Sequence, residues 1–514
     1  MGRVARVGAL VVVIVAALQA GAWPAGAMVV GPPGLRADFD GDGFDDLAVG
    51  VPLEDLAGVV DAGVVNVLYG SADGLTGNGS QQLAQALPEP GDQLGWAAAA
   101  GDFNGDGFAD LAVGAPGEDV GSTVDAGAVE VYFGSPAGLP AVGDQLLRQG
   151  AAGVIGAAEA GDQFGLTLAS GLFDSGAVAD LAVGTPFENV GADADAGVVN
   201  VVYGAPGGLL EGRNQQFLQA NPEPGDLYGV AVATGHLGSA CNDPAFDLAV
   251  GASGEDVGAA RDAGAVNIIL ALDDGTGLPP SATGQPFVQG SGGVPGAAET
   301  GDAFGAALAS GELGNCVQIG LAVGAPAEDV GTAVDAGAVT LLLTPGGHEL
   351  WTQGAAGGSV ESGDLFGWSL TMADIENDNA DNVLIGSPGE DVGATRDAGV
   401  VTPLCGFDGF VFSCGPEGTI SQTNPERDDA AGVALAAGDF NNDDIPDLAV
   451  GAPGETVGTA ADAGAVEVYA GVNTEPIPDS GRLLFQNAPG VPGTSEAGDI
   501  FAVGLAASFA AHVF

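Results

Sequence analysis

A phrase of the form Leu-Ala-Val-Gly-Ala-Pro, followed by Glu-Asp-Val-Gly and then Asp-Ala-Gly, returns seven times along this chain of 514 residues. Its anchors are Leu47, Leu111, Leu181, Leu248, Leu321, Val383 and Leu448, at steps of 62 to 73 residues. Each unit is long enough for four short strands and their turns, yet too small to bury its own apolar face. Repetition at this period therefore reads as one assembly of mutually packed units rather than separate domains. The 91 Gly and 30 Pro place many tight turns between short Val- and Ala-rich runs, and no long helical periodicity follows the first residues. An all-β fold is expected, with 28–514 as one domain.

In the second repeat, Gly95–Ala100 reads as a strand of small residues suited to a crowded inner position. Leu111–Gly114 is a continuous apolar strand, Ala128–Phe133 alternates, and Gln145–Arg148 closes the unit after a Gly-Ser-Pro-Ala-Gly turn.

Between the first two strands lies a loop whose spacing carries chemistry. In the first repeat, Asp38, Asp40, Asp42 and Asp46 stand at loop positions 1, 3, 5 and 9, Gly43 allows the turn, and Phe44 at position 7 offers its carbonyl. Alternate oxygen donors of this kind wrap a hard cation such as Ca²⁺, which takes six to eight oxygens. The second repeat repeats the set with Asp102, Asn104, Asp106, Phe108 and Asp110, and the seventh with Asp439, Asn441, Asp443, Ile445 and Asp447, where Asp444 replaces the turn Gly. The sixth keeps Asp374, Glu376, Asp378 and Asn382 but has Asn379 at the turn. About three calcium ions are expected, with a fourth open in the sixth repeat. The third repeat keeps only Asp174 and Asp180 and is expected to have lost its ion; Cys241, Cys316 and Gly320 interrupt the fourth and fifth. The loop is no EF-hand, because position 12 is Val49 or Val113, inside a strand, where that motif needs Glu.

These features together resemble the FG-GAP repeat of integrin α-subunit propellers. The Phe-Gly half stands at Phe164-Gly165, Phe304-Gly305 and Phe366-Gly367, with Tyr228-Gly229, Leu94-Gly95 and Ala431-Gly432 as variants. Gly-Ala-Pro is intact at Gly114, Gly324 and Gly451 and altered at Gly50, Gly184, Gly251 and Gly386. The resemblance implies a seven-bladed β-propeller of four-stranded antiparallel blades, calcium in β-hairpin loops, and ligand contacts on the opposite face. The first repeat has little room for a strand before Asp38, whereas Gly498–Leu505 matches a first strand and then ends. The C-terminal segment is expected to complete the first blade and close the ring; the alternative is a truncated eighth blade.

A second acidic set recurs in every repeat: Glu54, Glu118, Glu188, Glu255, Glu328, Glu390 and Glu455, and the Asp of each Asp-Ala-Gly at Asp61, Asp125, Asp195, Asp262, Asp335, Asp397 and Asp462. Sevenfold regularity points to structure, such as Asp side chains capping turn amides, because recognition usually breaks symmetry. The less regular connections before each Phe-Gly are the better candidates for recognition.

Acidic residues number 68 against 9 basic ones, all Arg. Nucleic acid is excluded as a partner, since phosphate binding needs clustered cations. The acidity fits either a solvated anionic surface or cation binding. Residues 1–27 read as an export signal: Arg3 and Arg6, an apolar run over 7–18, and an Ala25-Gly26-Ala27 site. A secreted or periplasmic chain is expected, with no membrane insertion after cleavage; the alternative, an uncleaved anchor, meets a run shorter than the roughly 20 residues that span a bilayer. Cys405 and Cys414 flank a turn and are expected to pair, while Cys241 and Cys316 either bridge neighbouring repeats or stay reduced.

Without Lys there is no Walker A loop, Schiff base or Ser-Lys dyad, and with only His236, His348 and His512 there is no zinc-protease motif. A non-enzymatic module for a protein or glycan ligand at or outside the cell surface is expected. A lectin-like glycan binder and a propeller enzyme acting on polysaccharides, or its accessory domain, are the alternatives. The oligomeric state is not legible.

Overall fold

The computed structural model describes residues 29–30, 37–150, 154–174, 176–238, 245–272, 275–280, 286–313, 319–344, 347–378, 380–407, 410–413, 419–472 and 481–507. The expected export signal, Cys241, Cys316, Cys414 with its pairing, and Asn379 lie outside the described residues. The strands of the described residues form seven sheets arranged as a seven-bladed β-propeller, and no helix occurs among these residues.

The second blade shows how the sequence builds the unit. Its strands run Ala98–Gly101, Asp110–Ala115, Ala128–Tyr132 and Gln145–Leu147 in antiparallel order from the axis outward. Leu111 stands opposite both Ala100 and Tyr132, so the continuous apolar strand is covered on both edges. The inner strand begins three residues later than its small-residue run suggests, because Gly95 at φ +98° turns the chain first. Ala dominates these inner strands since seven of them converge on one axis, where large side chains would collide.

The fourth blade departs from the pattern: beyond Ala265–Ile269, its outer strand shrinks to a single bridge in which Val266 and Phe287 exchange backbone bonds of 2.9 and 2.8 Å. In the sixth, the outer place beside Val400–Phe407 is shared between Phe410–Ser413 and Ile420.

The ring closes as expected. Leu505–Ala507 pairs antiparallel with Leu47–Val51, Ala506 lying opposite Ala48, and so supplies the first blade with its inner strand. A two-residue strand, Val29–Val30, adds to it in parallel.

Between the blades lies the core. Phe39, Phe103, Phe173 and Phe440, each at the second loop position, are completely buried, as are Phe164, Phe304, Phe366 and Phe501 of the Phe-Gly half. Each such ring contributes about 2–3 kcal/mol of burial.

The two halves of the repeat motif meet across blade joints. A Cβ on Gly114 would run into the carbonyl oxygen of Gly165 in the next blade, and the same holds for Gly50 with Gly95, Gly184 with Gly229, Gly251 with Gly305, Gly324 with Gly367 and Gly386 with Gly432. The Gly of Phe-Gly takes φ between +89° and +98° and donates its amide to the Gly-Ala-Pro glycine of its own blade, as Gly95 does to Gly114 at 3.0 Å. At the last joint Gly451 faces Ala502, the one non-glycine in this place, held at φ +71°.

Candidate metal centre

The nine-residue loops join the first and second strands, so all lie at one end of the ring. In the first loop, Asp38 accepts the amides of Gly41, Asp42 and Gly43 at 2.7, 3.0 and 2.9 Å. Asp40 accepts that of Asp42 at 3.1 Å, and Asp42 that of Phe44 at 3.0 Å. The backbone thus folds around its own side chains, with Gly41 and Gly43 supplying φ +75° and +94°. One carboxylate oxygen from each of Asp38, Asp40 and Asp42 lies within 4.8 Å of the others. Burial, then the Asp42 and Asp38 charges, raise the Asp40 carboxyl above its ordinary range.

Asp46 is placed differently from its three partners. It sits completely buried behind the loop, accepting the amides of Phe39 at 2.8 Å and Gly70 at 2.9 Å. Burial pushes its carboxyl up to about 9, with those two amides and the neighbouring acids opposing and adding respectively. Asp46 therefore ties the loop to the third-strand exit, whereas Asp38, Asp40 and Asp42 are the oxygens that converge. A cation among them would cancel the repulsion that closely set carboxylates otherwise carry.

The second loop is built the same way. Asp102 accepts Gly105, Asp106 and Gly107 amides at 2.6, 3.2 and 3.0 Å, Asn104 accepts Asp106 at 2.8 Å, and Asp106 accepts Phe108 at 3.0 Å. Asp110 holds the amides of Phe103 and Gly134, both at 2.8 Å. In the seventh loop Asp439 accepts Asp443 and Asp444, Asp443 accepts Ile445, and Asp447 holds Phe440 and Gly471. Asp444, in the place of the turn glycine, adopts φ +67°, and Asn442 takes φ +55°. The sixth loop repeats the Asp374–Asp378, Asp378–Ala380 and Asn382–Ile375 contacts. Glu376, at its third position, comes within 3.4 Å of the Cys405 sulfur.

In the third blade a positive charge meets the acid that the loop retains at its third position. Arg213, from the outer strand, pairs with Asp174 at 2.7 Å and lies 4.2 Å above the Tyr203 ring. Nothing in the loop itself announced it; the signal was a lone Arg in the repeat whose acidic positions had lapsed to Leu172 and Gly176. In the fourth, Asp247 still caps Leu237 and Gly238, and His236 packs edge-on against Phe246 at 4.6 Å.

The loops are also joined to one another. The eighth-position amide of one donates to the first-position carbonyl of the preceding loop: Ala109 to Asp38, Ala179 to Asp102, Asp381 to Glu312, and Asp45 to Asp439 at 3.1 Å across the closure.

At the other end of the ring the recurrent acids are structural, but not as capping by the Asp-Ala-Gly residues. Those seven Asp residues occupy left-handed backbone, φ +51° to +55°, and the amides of the first six are the groups being capped, by Asp55, Asp119, Asn189, Asp256, Asp329 and Asp391 at 2.9–3.2 Å. Their carbonyls and those of the following Ala receive amides from the next blade, as Asp61 does from Gln93 and Ala62 from Leu94. The Glu residues are met by a Gln from the preceding blade, an element the motif reading passed over. Gln85 donates to Glu118 at 2.8 Å, Gln219 to Glu255, Gln289 to Glu328, Gln353 to Glu390, Gln422 to Glu455, and Gln486 to Glu54 across the closure at 3.1 Å. The connections before Phe-Gly carry turns of their own, with Asp92 accepting the Glu89 amide at 2.5 Å and Asp302 that of Glu299 at 2.6 Å.

A family model described as the FG-GAP repeat matches residues 35–68, 94–132 and 431–469, the segments that contain the first, second and seventh loops. Phosphatidylinositol-glycan-specific phospholipase D of Bos taurus is 33% identical over 153 residues, 29% of this chain and 18% of that protein. The Homo sapiens protein of that name is 31% identical over 176 residues, 33% of this chain and 20% of its own. Integrin alpha-5 of Xenopus laevis is 30% identical over 228 residues, 43% of this chain and 19% of that protein. The alignments thus span at most 20% of these relatives' length. The chain carries FG-GAP repeats in three places, and parts of it are similar to integrin α-subunits and to phosphatidylinositol-glycan-specific phospholipase D.

Proposed function

We propose that this chain is an exported, calcium-stabilised propeller that recognises a protein ligand at or beyond the cell surface, acting by binding rather than turnover. The observation that carries the metal half is the convergence of Asp38, Asp40 and Asp42 in a loop already folded by its own amides. Calcium would be held there by those three carboxylates, with the Phe44 carbonyl next in line, and by the matching residues of the second and seventh loops. Bound, the ion supplies charge neutralisation and a fixed hairpin. The bonds that run from loop to loop would pass that rigidity along the rim.

Kinship with integrin α-subunits supports the recognition half, since irregular connections on a rigid ring suit selective contact. No helix among the described residues is long and apolar enough to cross a membrane. Calcium titration of the folded chain, followed by an array of extracellular proteins and glycans with and without chelator, tests both halves. Calcium-dependent retention on a protein supports the reading. Retention on glycans alone replaces it with the lectin-like reading, and turnover of polysaccharides or of phosphatidylinositol-glycan substrates replaces it with an enzyme.

A further inference from the structure

Each blade joint, at the end of the ring away from the cation loops, gathers three polar side chains from two blades; the Gln and the Asp are buried at all seven, while the Glu is fully buried at Glu54 and Glu188 and half-buried at the other five. In the joint between the second and third blades they are Gln149, Glu188 and Asp162, exposed by only 1%, 8% and 0%. Asp162 spends one oxygen on the Glu159 amide at 2.5 Å; its other oxygen, Glu188 Oε2 and the Gln149 amide have no hydrogen-bond partner. Two ionised carboxylates left so close and so dry would repel strongly, and a single proton between them removes the conflict. The same three residue types meet at every joint, as Gln486, Glu54 and Asp499 do at the closure and Gln353, Glu390 and Asp364 do between the fifth and sixth blades; there the Gln amide donates to the Glu, and the Asp accepts the amide three residues before it.

We propose that these seven Gln–Glu–Asp clusters are proton-operated clasps, each closed while its two carboxyls share one proton and loosened when that proton passes to bulk water. Most groups facing them favour the same outcome, the exception being Arg148 beside Glu118. Glu188 meets Asp162 and Glu159, and Asp195 faces Asp162. Glu54 meets Asp499, Glu496 and Asp55. Arg148 brings a positive charge towards Glu118, and Glu467 adds a negative one near Glu455. Burial is the largest influence throughout, holding Glu54, Glu188, Glu390 and Glu455 at about 7 and Asp162, Asp364 and Asp429 at about 6.

The sign follows from linkage. A carboxyl raised in the folded chain keeps its proton where the unfolded chain has released it, so the folded state binds more protons between about pH 4 and pH 7. Stability is therefore greatest at the acid end of that window and falls as pH rises through it. Buried acids in the cation loops, such as Asp46, titrate as well, so the whole-protein pH profile is not diagnostic, and the comparison must be between variants.

The experiment is thermal unfolding of the full chain and of E188Q, E390Q and D162N, in chelator, at about pH 5 and about pH 8. Gln and Asn imitate the protonated carboxyl without its charge. Each variant is expected to melt about 1–2 °C above the parent at the higher pH and level with it at the lower. Infrared spectra of the parent should hold a carboxylic-acid carbonyl band near neutral pH that weakens in E188Q and E390Q. Equal shifts at both pH values, lower melting in all three variants, or an unchanged infrared band overturns the proposal.

Discussion

Replacing Gly114 by Ala tests the joint that defines the repeat. A Cβ on Gly114 would occupy the space of the Gly165 carbonyl oxygen and lie 3.1 Å from its carbon, and that oxygen belongs to backbone rather than to a side chain that can swing aside. Ordinary contact requires the next blade to retreat by about 1 Å, which packed sheets resist. Overpacking of this kind costs about 3 kcal/mol, the upper part of its usual span, because no rotamer change relieves it. In a chain of this size that lowers the melting point by about 3–6 °C. Gly212 is the matched control: it lies in the outer strand Gly208–Phe217, and its Cβ would meet nothing within 4 Å. Gly212→Ala should stay within about 0.5 kcal/mol of the parent. Scanning calorimetry of the two variants decides the matter; were they to melt together, the close approach across the joint would not be what the motif secures.

Three other outcomes can be measured on the same chain. Chelation should lower the melting point, and Asp42→Ala and Asp106→Ala should each remove about one bound calcium by equilibrium dialysis. Arg213→Met should destabilise the third blade by about 1 kcal/mol, the pair being half open to solvent, with a loss that calcium does not change and that Asp174→Asn largely restores. Ala502→Gly should stabilise by about 1 kcal/mol in denaturant titration, since Ala there is held in left-handed backbone that costs Gly little.

The number of blades, their closure by the C-terminal segment and the placing of the Asp-rich loops between first and second strands were legible because each depends on local spacing that recurs. Gly43 announced its turn for the same reason. What escaped was pairing between units. Gln85 and Glu118 are distant in sequence, each bland alone, and only the stacking of one sheet on the next makes them partners. Asp46 shared the spacing of the convergent acids, yet faces inward, because position 9 is also the first step into a buried strand. Arg213 was hidden for a similar reason: it approaches the third loop from the far edge of its blade, and Asp174 alone could not reveal it. The Asp-Ala-Gly residues were expected to cap amides, but the backbone's left-handed turn makes them recipients of a cap, a distinction of φ that composition does not carry.

Because Gly-Ala-Pro of one unit is completed by Phe-Gly of its successor, the piece that duplicates in the sequence and the piece that is self-sufficient in space are out of phase. A copied segment inserted anywhere in the circle arrives with one half of a seam at each border, already complementary to whatever neighbours it meets. Such a chain can lengthen or diverge by whole units without new docking surfaces having to be invented, while a unit cut out and studied alone would lack a partner at both of its borders.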